Sequence, residues 1–185
     1  MKRIFAAVKI NHGNQLIHLL DQLKSALAKD KIKWVDPGNM HITLKFFGET
    51  QEEKVPEIEN VLRAIKHKNS FGIEINELGI FGSSYKPKVI WLGIADCPEF
   101  HLLENEVTTA IQPIGYQPDR QNFVPHITLG RINFLNDKKY FQQIIDKYKS
   151  FSSEKQQISG FHLYESILKQ TGPEYRILGT FDFLQ

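Results

Sequence analysis

The tetrapeptide His-Ile-Thr-Leu occurs twice in this chain, at residues 41–44 and again 85 positions later at residues 126–129. The first copy lies between turn-forming residues at 36–39 and Gly48, and a short β-rich run between turn signals fits a strand. The second copy lies in a similar run at residues 123–132. We therefore predict two equivalent strands, and the repeat favours a fold built by duplication.

The apolar pattern around each copy supports this duplication. A helix precedes each copy, and a helix and a hairpin follow it, so the repeated unit contains both helices and strands. Thr50 and Glu53 have the spacing of a capping box for the second helix, although Pro56 leaves its start open. The predicted helices are residues 14–27, about 55–65, 99–111 and 138–148, and the predicted strands are residues 2–9, 40–47, 71–80, 88–95, 123–132, 157–164, 167–170 and 175–183.

No linker or low-complexity segment divides the chain, so we expect one domain over residues 1–185, built of two interleaved lobes. The predicted fold class is α+β. In this duplicated, bilobal fold, two sheets with outer helices face each other across a central cleft with pseudo-two-fold symmetry.

Composition argues against several classes of protein. The chain is 41% hydrophobic and 24% charged, which is ordinary for a globular protein, and its net charge of +2 is too small to coat nucleic acid. The apolar run at residues 4–8 ends at Lys9 and is too short for a signal peptide, and no run approaches the length of a membrane span. We expect a cytoplasmic protein. Cys97 is the single cysteine, which argues against a disulfide framework or a zinc knuckle.

The spacing of His and Thr indicates what each copy can do. Side chains at i and i+2 of a strand leave the same face, about 6.5 to 7 Å apart. The threonine hydroxyl can donate a hydrogen bond to a phosphate oxygen, and the imidazole can move a proton near neutral pH. Two copies brought together would surround a phosphate with two imidazoles and two hydroxyls. This set suits acid-base cleavage of a phosphodiester and requires no metal.

Other interpretations of His41 and His126 have less support. A metal site would need carboxylates or further histidines, whereas the neighbouring residues are Thr, Ile, Leu and Lys. A Ser-His-Asp triad would need a glycine-flanked serine elbow, which does not occur in the sequence. A purely structural role is the ordinary interpretation of a lone histidine, and we apply it to the histidines without the repeated context, which are His12, His18, His67, His101 and His162.

Five segments of the chain carry a resemblance to a known family: KRIFAAVKI, WVDPGNMHITLKFFGET, LGIFGSSYKPKVIWLGI, DRQNFVPHITLGRI and FHLYESILKQTGPEYRIL. With them the chain resembles, end to end, the 2H phosphoesterases, which are named for two His-x-Thr motifs. It is most similar to their RNA 2',3'-cyclic phosphodiesterase branch, also called ThpR or 2'-5' RNA ligase-like proteins. The resemblance implies an antiparallel sheet in each lobe. It also implies hydrolysis of a terminal 2',3'-cyclic phosphate to a 2'-phosphomonoester, with reversible 2'-5' ligation as a second activity.

By position, the resemblance makes His41 and His126 the catalytic pair and Thr43 and Thr128 the phosphate contacts. Family analogy makes His41 the acid that protonates the departing 3'-oxygen and His126 the base that activates water. The two motifs are locally alike, so the sequence leaves that assignment open.

Phe46 and Arg131 each lie five residues after their histidine. The resemblance implies base stacking for Phe46 and a phosphate contact for Arg131. Strict alternation places position i+5 on the opposite face from the histidine unless a bulge or a strong twist intervenes. Phe46 in the core and Arg131 on a solvated edge are therefore alternatives. The same alternation puts Lys45, at position i+4, on the catalytic face.

The leading hypothesis is a metal-independent RNA 2',3'-cyclic phosphodiesterase without a cofactor. Its expected partners are RNA ends or nucleoside 2',3'-cyclic phosphates, and we expect a monomer without a membrane or an obligate protein partner. Arg120, Lys86 and Lys88 lie in loops that could follow an RNA backbone, or they are ordinary surface charges. A second hypothesis changes the substrate to a 2'-5' oligonucleotide or another small cyclic phosphate. A third is an RNA-end binding module without turnover, against which the intact His and Thr residues argue.

Overall fold

The computed structural model of this chain describes residues 1–83, 85–118, 123–170 and 172–184. In these ranges the helices are α1 (Asn14–Ala26), α2 (Val55–Arg63), α3 (Pro98–Ile111) and α4 (Lys138–Tyr148). The strands are β1 (Lys2–Lys9), β2 (Lys31–Trp34), β3 (His41–Thr50), β4 (Phe71–Ile73), β5 (Ile75–Ser83), β6 (Lys86–Ile94), β7 (His126–Phe134), β8 (Gln156–Ile158), β9 (Gly160–Lys169) and β10 (Gly172–Asp182).

Most of the described strands form one antiparallel network that consists of two groups. The first group has the order β10-β9-β1-β3, and the second has the order β7-β6-β5 with β2 also paired to β7. Strands β4 and β8 form a separate antiparallel pair. The predicted α+β class, with an antiparallel sheet for each copy of the tetrapeptide, is confirmed.

The two groups meet at one residue pair, where Ile42 of β3 lies opposite Ile127 of β7. These are equivalent residues of the two tetrapeptides on antiparallel strands, so a local two-fold axis passes between them. If the antiparallel register is continued by one residue in each direction, His41 lies opposite Thr128 and Thr43 lies opposite His126. The tertiary structure thus brings both motifs to the centre of the molecule.

One face of the network carries the hydrophobic core. Ile42, Leu44, Ile127 and Leu129 are each at most 2% exposed, and they belong to the same cluster as the apolar stripes of all four helices. The helical stripes have the period of half-buried helices and consist of Leu16, Leu19, Leu20, Leu23, Val55, Ile58, Leu62, Phe100, Leu103, Val107, Ile111, Phe141, Ile144 and Ile145. Within the described ranges, no helix has the length and apolar character needed to cross a membrane.

Several strand predictions need correction. The predicted strands at 157–164 and 167–170 are divided differently, because β8 ends at Ile158 and β9 continues without a break over Gly160–Lys169. Strand β2 has only four residues, two of them lysines, and it was absent from the predicted elements because its place depends on pairing with the distant β7. The predicted strand at 71–80 is divided between two partners: β4 pairs with β8, whereas β5 pairs with β6.

The predicted capping box at Thr50 is also wrong. Thr50 is the last residue of β3, and its hydroxyl donates to the carbonyl oxygen of Gly48 at 3.4 Å. Helix α2 instead follows a short 3-10 turn at Glu52–Lys54 and has no side-chain cap. Pro56 lies in its first turn, where its missing N–H costs no hydrogen bond.

Candidate active site

The His-x-Thr pairs lie on the face of the sheet opposite the core. His41, Thr43, His126 and Thr128 are all half-buried, whereas the isoleucine and leucine between or after them in each motif are buried against the helices. This is the arrangement that strand alternation predicts. It leaves two imidazoles and two hydroxyls on one surface.

The first motif is followed by a β-bulge. Thr43 lies opposite Ala7 of β1, but Lys45 lies opposite Ala6, the next residue of β1. Leu44 is therefore an extra residue on β3, and the alternation of side chains shifts by one after it.

The second motif is followed by a bulge at the equivalent position. Thr128 lies opposite Trp91 of β6, but Gly130 lies opposite Ile90. Leu129 is the extra residue on β7, as Leu44 is on β3. The two motifs therefore share their irregular geometry as well as their sequence.

Both bulges return the residue at position i+5 to the side of its histidine. Phe46 is 57% exposed, so the core alternative for this residue is wrong. Arg131 is exposed, and its positive charge lowers the pKa of both His41 and His126.

The residues at position i+4 turn towards the core, contrary to the predicted position of Lys45 on the catalytic face. Lys45 is 4% exposed, and its Nζ donates to the carbonyl oxygen of Gln117 at 2.8 Å. Its counterpart is Gly130, where a Cβ would lie 2.8 Å from Ile32 Cγ2 and 2.9 Å from Trp34 Cε3. A side chain is excluded there because β2 passes close by.

A backbone carbonyl two residues earlier in the chain holds each imidazole in the same way. His41 Nδ1 lies 2.7 Å from the carbonyl oxygen of Asn39, and His126 Nδ1 lies 2.8 Å from that of Val124. A carbonyl oxygen only accepts hydrogen bonds, so Nδ1 carries a hydrogen in each ring. Nε2 is then the nitrogen left for proton transfer in both histidines.

Burial is the main cause of a lowered pKa at both histidines. The pKa of His41 is lowered by burial, raised in part by the hydrogen bond to Asn39, and lowered further by the charges of His126 and Arg131. The pKa of His126 is lowered by burial and by Arg131, against the hydrogen bond to Val124. Both rings therefore favour the neutral form, and an anion between them would favour the imidazolium form.

Aromatic rings from neighbouring strands pack against His41. The centroid of its ring lies 4.9 Å from that of Phe5 on β1 and 5.3 Å from that of Tyr175 on β10. Phe5 also belongs to a small buried cluster with Ala7 and Tyr164, separate from the main core. Burial in this cluster raises the pKa of Tyr164 to about 12.

His126 has an equivalent aromatic support from the β5–β6 hairpin. The ring of Phe81 lies 4.7 Å from it and that of Trp91 lies 6.4 Å from it, and Phe81 stacks on Trp91 at 5.0 Å. Phe5, Tyr175, Phe81 and Trp91 were not predicted from the sequence, because they are distant from both motifs along the chain. The signal that could have found them is their occurrence inside the segments that carry the family resemblance.

Three other charged residues were considered above as possible contacts to an RNA backbone. Lys86 and Lys88 are exposed at the start of β6, while Arg120 lies outside the described residues. Within the described ranges, no three His, Cys, Asp or Glu side chains are grouped so that they could hold a metal ion.

Comparison with known families shows which family the chain belongs to. The family described as LigT like Phosphoesterase matches the chain at residues 8–91 and again at residues 93–175. Each matched stretch contains one His-x-Thr motif. The chain belongs to the LigT-like phosphoesterase family. The family assignment made from the sequence is confirmed.

Curated members of this family from archaea match nearly the whole chain. A protein of Methanothermobacter thermautotrophicus is 32% identical over 182 residues, which is 97% of each chain. One of Methanocaldococcus jannaschii is 32% identical over 178 residues, or 95% of this chain and 98% of its own. Both relatives are named RNA 2',3'-cyclic phosphodiesterase.

Solved structures share the fold at lower sequence identity. A Thermus thermophilus protein superposes with a TM-score of 0.80 at 22% identity, over 98% of this chain and 97% of its own. E. coli LigT complexed with 3'-AMP has a TM-score of 0.74 at 21% identity, over 100% of this chain and 99% of its own. At these identities the likeness is one of fold.

Proposed function

We propose that this protein hydrolyses the terminal 2',3'-cyclic phosphate of RNA and leaves a 2'-phosphomonoester. Relatives that match 97% of the chain at 32% identity are named RNA 2',3'-cyclic phosphodiesterase, in agreement with the enzyme class expected from the sequence. The observation that carries the proposal is that the two histidines have the same hydrogen-bonding arrangement. Each is held through Nδ1 by a carbonyl, so that Nε2 is left for proton transfer.

The proposed reaction uses one histidine as a base and the other as an acid. The neutral histidine takes a proton from water through Nε2 as the water oxygen attacks phosphorus. The bond between phosphorus and the 3'-oxygen breaks, and the protonated histidine gives its Nε2 proton to that oxygen. Family analogy makes His126 the base and His41 the acid, and we adopt this assignment.

The other proposed site residues bind the substrate. Thr43 and Thr128 lie beside the histidines of the opposite copies, so their hydroxyls can donate to the non-bridging phosphate oxygens. Arg131 adds a positive charge that acts on both imidazoles, and it would offset the phosphate charge. Phe46 is exposed on the same face and can stack on a nucleobase.

Metal independence is part of the proposal, because acid and base are both supplied by imidazoles. Reversible 2'-5' ligation would follow from the same site if the 5'-hydroxyl of a second RNA replaced water as the attacking group. The 5'-oxygen then attacks phosphorus, the bond from phosphorus to the 3'-oxygen breaks, and the two RNA ends are joined through a 2'-5' phosphodiester. We further propose that the protein acts as a monomeric single domain in the cytoplasm.

The test is incubation with 2',3'-cyclic AMP in excess EDTA, with 2'-AMP and 3'-AMP resolved as products. We expect 2'-AMP at the rate seen without EDTA. A variant with both His41→Ala and His126→Ala, purified in the same way, controls for a contaminating nuclease. Loss of turnover on chelation that zinc or manganese restores would contradict the acid-base mechanism. Tight binding without turnover would instead favour a binding module.

A further inference from the structure

The β9–β10 hairpin bends over the face that carries His41. In the strand order β10-β9-β1-β3, a flat sheet would separate β10 from β3 by about 14 Å, since neighbouring strands are about 4.8 Å apart. Tyr175 of β10 nevertheless lies 5.3 Å from the ring of His41, measured between centroids. The hairpin therefore forms one wall of the site.

A single asparagine connects this wall to the histidine. The carbonyl oxygen of Asn39 accepts the hydrogen bond from His41 Nδ1 at 2.7 Å, and the Nδ2 of Asn39 donates to the carbonyl oxygen of Pro173 at 3.0 Å. Pro173 is two residues before Tyr175. Asn39 thus links the backbone next to Tyr175 with the imidazole of His41 through two hydrogen bonds.

The Tyr175 ring and its hydroxyl have different surroundings. The ring packs edge-on against Phe5 at 5.1 Å and against His41. The hydroxyl makes no hydrogen bond to any described residue, although the side chain is only partly exposed. Burial raises the pKa of this phenol, against the charges of Arg131 and Arg3, so it is protonated at neutral pH and can donate.

The charge of Arg131 relates Tyr175 to both histidines. It lowers the pKa of His41, of His126 and of Tyr175, so one guanidinium acts on all three groups. The geometric link is the packing of the Tyr175 ring on His41, which puts the phenol on the face that carries both His-x-Thr motifs.

We infer that Tyr175 is a further substrate-contacting residue, whose hydroxyl donates a hydrogen bond to an oxygen of the terminal phosphate. This inference rests on the proposed function, since it assigns the phosphate of that reaction to the space between the histidines. It adds a third hydroxyl donor, from outside both His-x-Thr motifs, to those of Thr43 and Thr128.

Tyr175→Phe tests the inference, and Tyr164→Phe is its matched control. Both substitutions keep the ring and remove only a hydroxyl. Tyr164 is also aromatic, lies in the Phe5 cluster and has no hydrogen bond to a described residue, but its ring is 6.5 Å from that of His41 and it is 7% exposed. For each protein we would measure kcat/KM on 2',3'-cyclic AMP, the affinity for inorganic phosphate and the thermal midpoint.

We expect Tyr175→Phe to lower kcat/KM by about 10- to 150-fold, the range for a hydrogen bond to a charged group, and to weaken phosphate binding. Tyr164→Phe should stay within about twofold of the parent in both assays, and both variants should keep the thermal midpoint. Parent-like activity and phosphate affinity in Tyr175→Phe would overturn the inference, as would equal losses in the two variants. If the parent protein itself fails to hydrolyse cyclic AMP, the proposed function fails, while phosphate binding still tests Tyr175.

Discussion

At His41 and His126, a backbone carbonyl determines which ring nitrogen can react. The carbonyl belongs to a residue only two positions away, Asn39 or Val124, so each motif controls its own tautomer. Both rings have the same tautomer, so only the presence or absence of a proton on Nε2 distinguishes the acid from the base. The pH dependence of the reaction should report this directly.

We expect kcat/KM to follow a bell in pH with its optimum below about pH 6.5. One ring must be neutral and the other protonated, and burial lowers the pKa of both below the ordinary value of 6.5. The limbs report the coupled pair rather than either residue. The measurement is kcat/KM for 2',3'-cyclic AMP from about pH 4.5 to about pH 9. An optimum above about pH 7.5 would show that the free enzyme does not hold its histidines as described.

Replacing either histidine with alanine should lower the rate by roughly 100- to 10,000-fold, the contribution of one general acid or base. The double variant should lose less than the product of the two, because donor and acceptor act as a unit. Without the base only the alkaline limb survives, and without the acid only the acidic limb survives.

A substrate with sulfur as the leaving atom should rescue the acid variant preferentially, which tests the assignment of His41 as acid. Removal of one histidine with less than about threefold loss would refute the paired roles.

Thr43→Ala and Thr128→Ala should each slow turnover by about 10- to 150-fold, since a hydrogen bond to a charged oxygen contributes about 1.5 to 3 kcal/mol. Thr108→Ala is a useful comparison, because this buried threonine donates its hydroxyl hydrogen to Glu104 on α3, away from the site. Wild-type rates in the two motif variants would remove the threonines from the phosphate site.

At the scale of whole elements, the strands rather than the tetrapeptides aim the outer site residues. A regular strand would place position i+5 opposite the histidine, whereas the bulges at Leu44 and Leu129 turn Phe46 and Arg131 towards it. The neighbouring hairpins then supply the aromatic supports, Tyr175 beside His41 and Phe81 beside His126. Substitutions in these hairpins should therefore lower turnover, although the hairpins do not supply the acid or the base.

Gly79→Ala should lower both stability and turnover. Gly79 of β5 lies opposite Trp91, and a Cβ there would be 2.4 Å from Trp91 Cζ2, so the indole and the stacked Phe81 must move. Overpacking of this kind costs about 1 to 3 kcal/mol, measured by urea unfolding, and it disturbs the support of His126.

Gly72→Ala is the control for this substitution. Gly72 is an exposed strand residue in β4 whose added Cβ would meet only Gln157 Oε1 at 3.8 Å. We expect this variant to stay within about 0.5 kcal/mol of the parent and to retain its turnover. Equal effects of the two substitutions would contradict the steric explanation.

At the scale of the whole molecule, stability should decline in mild acid. Burial is the largest cause of a lowered pKa at His41, His126 and His162. The folded chain therefore binds protons at these rings less readily than the unfolded chain does. The contribution of these three histidines to the free energy of unfolding is fully present above about pH 6.5, the ordinary histidine pKa. It is lost as the pH drops below that value.

Thermal unfolding from about pH 8 to about pH 5 measures this decline. His162→Gln should reduce it, because one of the three rings is removed. His162 lies on β9, opposite Ala7 of β1, and its Nδ1 lies 3.0 Å from Thr180 Oγ1. Strand β1 separates it from the strands that carry His41 and His126, so the substitution leaves the proposed catalytic pair in place. His12→Gln, at an exposed position, should leave the decline unchanged. An identical decline in His162→Gln and the parent would count against burial of His162 as a cause.

The sequence by itself determined the features that depend on local periodicity. Side chains at i and i+2 of a strand share a face, so the sequence alone places His41 and Thr43 together. The four helices follow from their apolar stripes, and α4 has the predicted bounds, Lys138–Tyr148. The repeat itself indicated that two such strands would be equivalent.

Only the tertiary structure decided which side Phe46 and Lys45 occupy, because a bulge is a mismatch between two strands and cannot be recognised in one of them. It also decided the place of β2, which its four residues are too few to specify. The position of Tyr175 beside His41 depends on a hairpin bent over the sheet and tied to Asn39. Contacts of this kind join residues far apart in the chain, and local sequence patterns do not record them.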